Sequence, residues 1–285
     1  MSLDVTPLHP LFVGEVTGLD LRQPLDEANV AAIVAAIDRY AVLIFRDQPL
    51  TQTQQLALAR AFGPLDMGLK RLKQSQERLE HAELADISNV ADSTGRLAER
   101  TDRKIVSNIA NQLWHSDSSF QKPSARYSLL SAVRVPEQGG ATEFADLRAA
   151  YDALPEALRQ EIGGLQAQHY ALHSRFMLGD TDYTDAQKQA IPPVYWPLVR
   201  THPGSGRQVL FISVHACSIE GWTIPEGRML LIDLLEYATQ PEFVYRHRWR
   251  PNDLVIWDNR CTLHRGRRFD FSQPRELRRA TTLDV

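Results

Sequence analysis

The chain has 285 residues, of which 43% are hydrophobic and 24% charged, and its formal net charge is −3. This composition is typical of a soluble globular protein, and the length allows one large domain or two small ones. The sequence contains no block of like charges and no stripe of basic and aromatic residues, which argues against nucleic-acid binding.

Targeting and redox signals favour a cytoplasmic location. The longest apolar stretch, residues 30–37, is far too short to span a bilayer, and the N-terminus has no basic segment followed by an apolar one. The two cysteines, Cys217 and Cys261, form no CxxC motif. We therefore expect a reduced cytoplasmic protein that makes no membrane contact.

The first quarter of the chain predicts two helices around a buried strand. Residues 26–40 carry apolar side chains at helical spacing. Residues 41–45 form a short, fully apolar run that is typical of a buried strand. A capping-box pattern, Thr-x-x-Gln, opens a second predicted helix at residues 51–62.

Two long polar segments predict irregular loops. Residues 66–110 are polar, charged and weakly periodic, apart from a strand-like run at residues 85–89. Residues 176–193 form the second segment, which ends in two consecutive prolines. Long irregular segments inside compact domains are often lids or binding loops, and we expect both segments to be lid-like.

The second half of the chain is rich in short strands separated by turns. Strands are predicted at residues 127–135, 142–145, 169–174, 197–202, 209–212, 243–249, 253–257 and 278–283. Helices are predicted at residues 147–154, 155–163 and 225–237. Many short strands with turn signals favour a barrel or a double-sheet jelly roll. The expected fold class is therefore mainly β with flanking helices.

The chain lacks the motifs of several common enzyme folds. It contains no GxGxxG, Walker, GxSxG or HExxH motif. Nucleotide-binding and serine-hydrolase functions therefore have no support from the sequence.

A candidate metal centre begins with His115 and Asp117. On an extended strand, residues i and i+2 point to the same face, so the imidazole and the carboxylate can converge on one ion. His264, near the C-terminus, is the candidate third ligand. Two histidines and one carboxylate suit a non-haem Fe(II) site with open positions. The alternative is a buried structural His115 and a solvated Asp117, because an HxD pair alone is a weak signal.

Arg275 and Arg279 follow the third candidate ligand and share one face of a predicted strand. An inward arginine in an otherwise apolar strand is costly unless an anion pairs with it, and a guanidinium binds a carboxylate through two parallel hydrogen bonds. Two such positions indicate two carboxylate groups to hold. The alternative is a basic patch on the surface.

Four segments together resemble one known family. They are Trp114-His-Ser-Asp117, Gly139-Gly-Ala-Thr-Glu-Phe144, Trp257-Asp-Asn-Arg-Cys-Thr-Leu-His-Arg265 and Arg275-x-x-x-Arg279. In order and spacing they resemble the taurine/2,4-dichlorophenoxyacetate dioxygenase family of Fe(II)- and 2-oxoglutarate-dependent oxygenases, and the 2,4-dichlorophenoxyacetate branch more than the taurine branch. The resemblance covers nearly the whole chain. It implies a single domain over residues 1–285 with a double-stranded β-helix core, a jelly roll of the cupin type.

The resemblance implies roles for five residues of the metal and co-substrate site. His115, Asp117 and His264 would ligate Fe(II). Arg275 would pair with the distal carboxylate of 2-oxoglutarate, with help from the hydroxyl of Thr142. Oxygen would be the second co-substrate, and ascorbate is expected to stimulate turnover.

Three further residues are expected near the substrate. By the same resemblance, Arg279 would hold the substrate's carboxylate, and Asn111 corresponds to a polar position near the substrate in relatives. His202, at the end of a predicted strand, is a candidate ligand for an ether oxygen or a carboxylate of the substrate.

Other polar residues are assigned structural roles. Residues 117–119 and 257–259 are expected to support the site by hydrogen bonds to the residues that bind the metal or substrate. His173 and His215 are interpreted as core or surface histidines and are left out of the predicted site.

The reaction that the resemblance implies is hydroxylation of the carbon next to the ether oxygen of an aryloxyacetate, such as 2,4-dichlorophenoxyacetate, with release of a phenol, glyoxylate, succinate and CO2. The alternative substrate for the same chemistry is a sulfonate or another small organic acid. Two other classes stay open, a zinc hydrolase and a non-catalytic barrel that binds a small acid. The expected partners are a small anionic molecule and further copies of the same chain.

Overall fold

The computed structural model describes residues 3–68 and 78–285, so residues 69–77 of the first predicted lid lie outside the described residues. The strands are β1 (Asp4–Pro7), β2 (Gly14–Thr17), β3 (Val42–Phe45), β4 (Ala85–Ser88), β5 (Ala125–Arg134), β6 (Thr142–Asp146), β7 (Gln166–His169), β8 (Val194–Pro197), β9 (Val199–Thr201), β10 (Gln208–Leu210), β11 (Ala216–Ile219), β12 (Val244–His247), β13 (Leu254–Asp258), β14 (Thr262–Gly266) and β15 (Glu276–Leu283). The helices are α1 (Glu27–Tyr40), α2 (Gln52–Arg60), α3 (Arg103–Ile109), α4 (Leu147–Ala153), α5 (Glu156–Ile162), α6 (His173–Met177), α7 (Asp185–Ala190) and α8 (Ile224–Ala238). Within the two described ranges, no helix has the length and apolar character that crossing a membrane requires.

The main sheet has the strand order β1-β2-β3-β13-β5-β15-β4. Its neighbouring strands are antiparallel, except that β2 and β3 run parallel. Side chains of β13 alternate between two buried surfaces, since Leu254 and Ile256 join one apolar cluster and Val255 and Trp257 join another. Both faces of this strand are covered, which explains its uninterrupted apolar run.

A smaller antiparallel sheet, β12-β6-β14, lies against one face of the main sheet. Phe144 of β6 contacts Trp257 of β13, with ring centroids 5.4 Å apart, and both side chains are fully buried. The two sheets therefore enclose a common core. The structure confirms the prediction of a mainly β fold with flanking helices and a double-stranded β-helix, or jelly-roll, core.

Helices α1 and α2 cover the outer face of the main sheet, and the buried side of α1 joins the same apolar cluster as Leu254. Their start signals are confirmed. Asp26 caps α1 by accepting a hydrogen bond from the N–H of Asn29 at 2.7 Å. Thr51 and Gln54 form the predicted reciprocal capping box at the start of α2.

The chain between β7 and α6 differs from the prediction. The predicted strand at residues 169–174 is wrong, because β7 ends at His169 and α6 begins at His173. Ala171, between them, is fully buried in a small cluster with Phe120. The apolar residues of this stretch alternate with polar ones as in a strand, but here they anchor a turn in the core.

The two predicted lids contain more regular structure than expected. In the first, β4 extends the main sheet beside β15, and α3 is followed by a 3-10 turn at Ala110–Gln112. In the second, α7 begins at a capping box between Thr184 and Gln187. Helices of only one or two turns carry little apolar periodicity, so the sequence gives weak signals for them. Strands β11 and β14 were not predicted either.

Candidate metal centre and substrate cavities

His115 and His264 meet through their backbones. The N–H of each donates to the carbonyl of the other, at 3.0 and 2.8 Å, in an isolated antiparallel bridge. His264 lies in β14, and Asp117 lies in the turn after the bridge, where Ser118 has a φ of 47°. The expected extended HxD pair is therefore a bridge residue followed by a turn, and the bridge brings the third candidate ligand to the first two.

Three candidate ligand side chains converge beside this bridge. His115 Nε2 lies 3.8 Å from Asp117 Oδ1, and His264 Nε2 lies 3.7 Å from Asp117 Oδ2. The two imidazole centroids are 4.1 Å apart. One ligand atom from each residue lies within 4.8 Å of the others, and all three side chains are buried. Two imidazoles and one carboxylate at this spacing can hold a single ion.

The two imidazoles are in the state that metal binding requires. His115 Nδ1 lies 2.8 Å from the carbonyl oxygen of Leu113, whereas its buried Nε2 has no hydrogen-bond partner among the described residues. Burial lowers the pKa of His115 and holds the pKa of His264 well below its usual range. Neutral imidazoles bind a metal without losing a proton. The donor set therefore fits Fe(II), and a bound ion would satisfy the orphaned nitrogen.

Asp117 is held by a network from the neighbouring strands. Its N–H donates to Asn259 Oδ1 at 3.1 Å, and its Oδ2 accepts from the Ser128 hydroxyl at 2.7 Å. Asn259 in turn donates to Ser128 Oγ and accepts from Trp257 Nε1, at 2.9 and 3.0 Å. Burial favours the protonated carboxyl, but Arg279, the two imidazoles and the Ser128 hydroxyl together outweigh it and lower the pKa of Asp117. Trp257 and Asn259 thus hold Asp117 in place, and the supporting role of residues 257–259 in a metal site stays a prediction.

Two cavities adjoin the ligand cluster. The larger one has a volume of about 590 Å3. The predicted site residues that line it are Asn111, His115, Thr142, His264, Arg275 and Arg279. The smaller one has a volume of about 100 Å3, and its walls include Asn111, His115, Asp117 and Arg279. The structure thus gathers nearly every predicted site residue at one place.

Arg275 lies in the wall of the larger cavity, directly before β15. Its Nε and Nη2 donate to the carbonyl oxygen of Gly140 at 3.2 and 3.1 Å, and it forms no ion pair with any carboxylate of the described residues. Burial lowers its pKa to about 10. A buried cation whose partner is a neutral carbonyl favours an anionic ligand.

The turn at Gly139 and Gly140 positions the side chain of Arg275. Gly140 has a φ of 67°, and a Cβ there would lie 3.0 Å from Arg275 Nε. Gly139 has a φ of 81°, and a Cβ there would lie 2.5 Å from the carbonyl oxygen of Arg268. Both positions therefore need glycine, for the backbone angle and for the close approach of neighbouring atoms.

Thr142 follows this turn at the start of β6 and is buried in the wall of the larger cavity. Its Oγ1 accepts a hydrogen bond from Trp249 Nε1 at 3.0 Å. A hydroxyl that accepts one hydrogen bond still has its own proton to donate, so Thr142 can donate to a ligand oxygen in the cavity.

Arg279 lies on β15 and reaches both cavities. Its Nη1 is 2.6 Å from Asp117 Oδ1, so it forms an ion pair with the carboxylate of a candidate metal ligand. The predicted common face of Arg275 and Arg279 is confirmed, because both line the larger cavity. Their partners differ, since one faces a carbonyl and the other a carboxylate.

The profile of the family described as "Taurine catabolism dioxygenase TauD, TfdA family" matches residues 4–281. The chain belongs to this family. Two similar proteins are both named alpha-ketoglutarate-dependent 2,4-dichlorophenoxyacetate dioxygenase. The protein from Cupriavidus pinatubonensis is 62% identical over 284 residues, which cover 100% of this chain and 99% of that protein. The protein from a Burkholderia species is 60% identical over 283 residues, which cover 99% of this chain and 95% of that protein.

A solved structure agrees with this fold over the whole length of the chain. The crystal structure of AAD-2 in complex with Mn(II) and N-oxalylglycine has a TM-score of 0.94 and 47% sequence identity, with 100% of this chain and 99% of that chain covered. The chain is therefore similar to known proteins in three-dimensional structure as well as in sequence.

In this member of the TauD/TfdA family, His202 lies away from both cavities, which contradicts its prediction as a substrate ligand. Its Nε2 is 3.0 Å from Asp258 Oδ2, and its Nδ1 is 2.9 Å from Ser205 Oγ. Asp258 also accepts from Arg260 Nη2 at 2.6 Å. Both ring nitrogens are engaged, and this buried network holds the turn between β13 and β14 that precedes His264.

Two basic residues of the smaller cavity, His215 and Arg175, were absent from the predicted site. His215 lies edge-on to Phe120, with centroids 5.0 Å apart, and its ring centroid is 6.2 Å from that of His115. Arg175 of α6 lines the same cavity. The prediction that His215 is a core or surface histidine is incomplete, since it is buried and also faces the site. The only sequence signal for Arg175 is its position as an arginine within a mostly apolar stretch.

Proposed function

We propose that this protein is an Fe(II)- and 2-oxoglutarate-dependent dioxygenase that hydroxylates the carbon next to the ether oxygen of an aryloxyacetate such as 2,4-dichlorophenoxyacetate. The products are a phenol, glyoxylate, succinate and CO2. The observation that carries the chemistry is the buried two-histidine, one-carboxylate cluster beside a cavity that also presents Arg275. The names of the 62% and 60% identical proteins support the substrate class.

The metal would be held by His115, Asp117 and His264, which fit Fe(II) by donor type, burial and the free Nε2 atom of His115. When bound, Fe(II) together with 2-oxoglutarate and oxygen supplies the oxidant for hydroxylation of a C–H bond. The chain itself contributes binding, orientation and exclusion of water.

The co-substrate would be held in the larger cavity by Arg275. Its guanidinium can bind the distal carboxylate of 2-oxoglutarate through two hydrogen bonds, and its burial strengthens that pairing relative to a surface site. The Thr142 hydroxyl would donate to the same carboxylate. The carbonyl of Gly140 holds the guanidinium in the wall of the cavity that His115 and His264 also line, so one molecule there could reach both.

The substrate would be oriented by Arg279, which faces both cavities. The same guanidinium pairs with Asp117, so it fixes the position of an anionic substrate relative to the ligand cluster. Asn111 lines both cavities and adds a polar contact. Ile105 and Phe271 give the larger cavity an apolar wall that suits an aryl ring.

Succinate release is the assay that tests the function. With Fe(II), 2-oxoglutarate and air, we expect 2,4-dichlorophenoxyacetate to give more succinate than cinnamates or taurine, with one phenol formed per succinate. Reactions without 2-oxoglutarate or without oxygen serve as controls and should give no phenol.

Each alternative has its own outcome in the same assay. Turnover without oxygen would indicate a hydrolase, including the zinc type. Binding of the acid without any succinate would indicate a non-catalytic barrel. A preference for taurine would move the substrate class to sulfonates, and a 31% identical relative named alpha-ketoglutarate-dependent sulfate ester dioxygenase is a reason to include sulfate esters.

We further propose a cytoplasmic location, a single domain over residues 1–285, association into homo-oligomers and stimulation by ascorbate. Cys217 and Cys261 are both free and buried, which suits a reducing compartment. The family match over residues 4–281 supports the single domain. Exposed apolar side chains of α8, such as Met229 and Ile232, offer a surface for self-association. Light scattering on the purified protein measures the oligomeric state.

A further inference from the structure

The smaller cavity contains two guanidinium groups. Arg279 of β15 and Arg175 of α6 both line it. Arg175 is 8% exposed, so more than nine-tenths of this residue is removed from water. A buried cation of this kind needs a partner that repays its lost hydration.

The contacts of Arg175 leave its charge uncompensated. Its Nη1 donates to the carbonyl oxygen of Ala171 at 3.3 Å and to Ser174 Oγ at 3.0 Å, and both acceptors are neutral. The nearby carboxylate of Asp180 is instead paired with Arg103 at 2.6 Å. Among the residues that the structure describes, no carboxylate forms an ion pair with Arg175. Burial accordingly lowers its pKa, although Tyr183 and Asp180 oppose the shift.

Other acidic residues on the wall of the smaller cavity are already engaged. Asp86 pairs with Arg78 and Lys104, and Glu83 pairs with Arg60. A further carboxylate there, Asp66, accepts hydrogen bonds from the side chains of Ser118 and Gln121. Asp117 pairs with Arg279. Arg175 is thus the arginine of this cavity that forms no ion pair with a carboxylate of the described residues.

Each of the two cavities is lined by one arginine that forms no ion pair with a carboxylate of the described residues. Arg275 lines the larger cavity and not the smaller one, whereas Arg175 lines the smaller and not the larger. His115 and Arg279 line both. A volume of about 100 Å3 is below the roughly 300–1,000 Å3 of pockets that enclose a whole drug-sized ligand, so it suits one small anionic group.

We propose that Arg175 is a second anchor for the substrate's carboxylate, which lies in the smaller cavity between Arg175 and Arg279. The inference rests on the proposed function, because it assumes an organic acid as substrate. The aryl part of the acid then lies toward the apolar wall of the larger cavity, and the carbon to be hydroxylated lies between the two, beside the ligand cluster. Arg175 is a specificity residue in this arrangement and takes no part in proton transfer.

Equilibrium binding tests this assignment without turnover. The protein is loaded with Mn(II) and N-oxalylglycine, and the Kd values of 2,4-dichlorophenoxyacetate and of its neutral primary amide are measured by calorimetry. We expect Arg175→Met to weaken binding of the acid by about 10- to 100-fold, as for loss of a hydrogen bond to a charged group. The amide, which carries no charge, should change by less than about threefold.

Arg200→Met is the matched control. Arg200 is partly buried, forms no ion pair among the described residues and stacks on Trp196 and Phe211, but it does not line either cavity. This variant should keep the wild-type preference for the acid over the amide. Arg175→Lys, which retains the charge, should recover part of that preference.

The outcomes separate the assignment from the proposed function. If Arg175→Met binds the acid as wild type does, or weakens acid and amide by the same factor, Arg175 has no role as an anion anchor. If the wild-type protein binds neither compound, the proposed substrate class itself is wrong. If Arg175→Met no longer binds N-oxalylglycine, its fold is damaged, and the same two Kd values are measured for Arg175→Gln, whose neutral amide can still donate hydrogen bonds. An unchanged preference of Arg175→Gln for the acid over the amide would overturn the assignment.

Discussion

At the co-substrate end of the site, Arg275, Thr142 and the turn at Gly139 and Gly140 lie on or directly beside strands of the two packed sheets. At the substrate end, Arg175 and much of the cavity wall come from the short helices α3 and α6, which lie in or beside the segments predicted as lids. Sheet register fixes distances between side chains, whereas short helices joined by loops can vary in position and length. Changes at the first end should therefore affect every substrate, and changes at the second should select among substrates.

The ligand cluster between the two ends gives the largest expected effect. We expect His115→Ala to abolish the weak visible absorption of the anaerobic Fe(II) and 2-oxoglutarate complex and to lower kcat/KM by about 1,000-fold or more. His202→Ala is the matched control, since His202 is equally buried but is bonded to Asp258 away from the cavities. The control should retain the absorption and melt at a lower temperature. Loss of the absorption in His202→Ala would show that His202 does contribute to the metal or co-substrate site.

Arg275 tests the co-substrate end. Arg275→Met removes the buried cation that faces the larger cavity, so we expect the KM for 2-oxoglutarate to rise by about 100-fold. The KM for the aryloxyacetate should change by less than about threefold. Steady-state kinetics with each compound varied in turn measure both values, and an equal rise in both would contradict a separate co-substrate end.

Arg279 lies four residues further along the same strand and should give the opposite pattern. We expect Arg279→Ala to raise the KM for the aryloxyacetate by about 30-fold and the KM for 2-oxoglutarate far less. The ion pair with Asp117 is also lost, so metal affinity should fall by up to about tenfold. A larger effect on 2-oxoglutarate than on the substrate would show that the roles of the two arginines are exchanged.

Gly140→Ala tests whether the turn at Gly140 positions Arg275, and we expect it to have the smallest effect of these variants. The new Cβ would meet Arg275 Nε at 3.0 Å, and we expect the KM for 2-oxoglutarate to rise by about 5- to 10-fold and stability to fall by about 1 kcal/mol. Gly221→Ala is the control, because Gly221 also has a positive φ, 79°, but its Cβ would meet nothing within 4 Å. The control should lose similar stability with an unchanged KM. An unchanged KM in Gly140→Ala would mean that the turn does not position Arg275.

The co-substrate end of the site could largely be predicted from the sequence, whereas the substrate end could not. The apolar run of β13 and the capping pattern of α2 are local, so the central strands β3, β5, β13 and β15 and the first two helices are predicted within a few residues. Arg275 and Arg279 are recognisable because they are four residues apart, so an extended strand points both to one face. These signals depend on neighbours in sequence, and they favour the sheet side of the site.

The substrate end gives few local signals. Arg175 faces the cavity because α6 turns where a strand was predicted, and His215 faces it because the chain before β11 packs against Phe120. His202 was wrongly placed in the predicted site, because the sequence does not show that its Nε2 is hydrogen-bonded to Asp258. Which partner a buried polar side chain meets is decided by contacts between distant segments, and the spacing of residues does not encode it.

The reciprocal backbone bridge between His115 and His264 also constrains when the metal site can form. The two residues are about 150 positions apart, so closing this contact carries a large entropic cost and belongs among the slow events of folding. During synthesis, His264 is added about 150 residues after His115. A chain that has not reached His264 can present His115 and Asp117 but lacks the third candidate ligand. A metal held by all three residues therefore binds only after this long-range contact has formed.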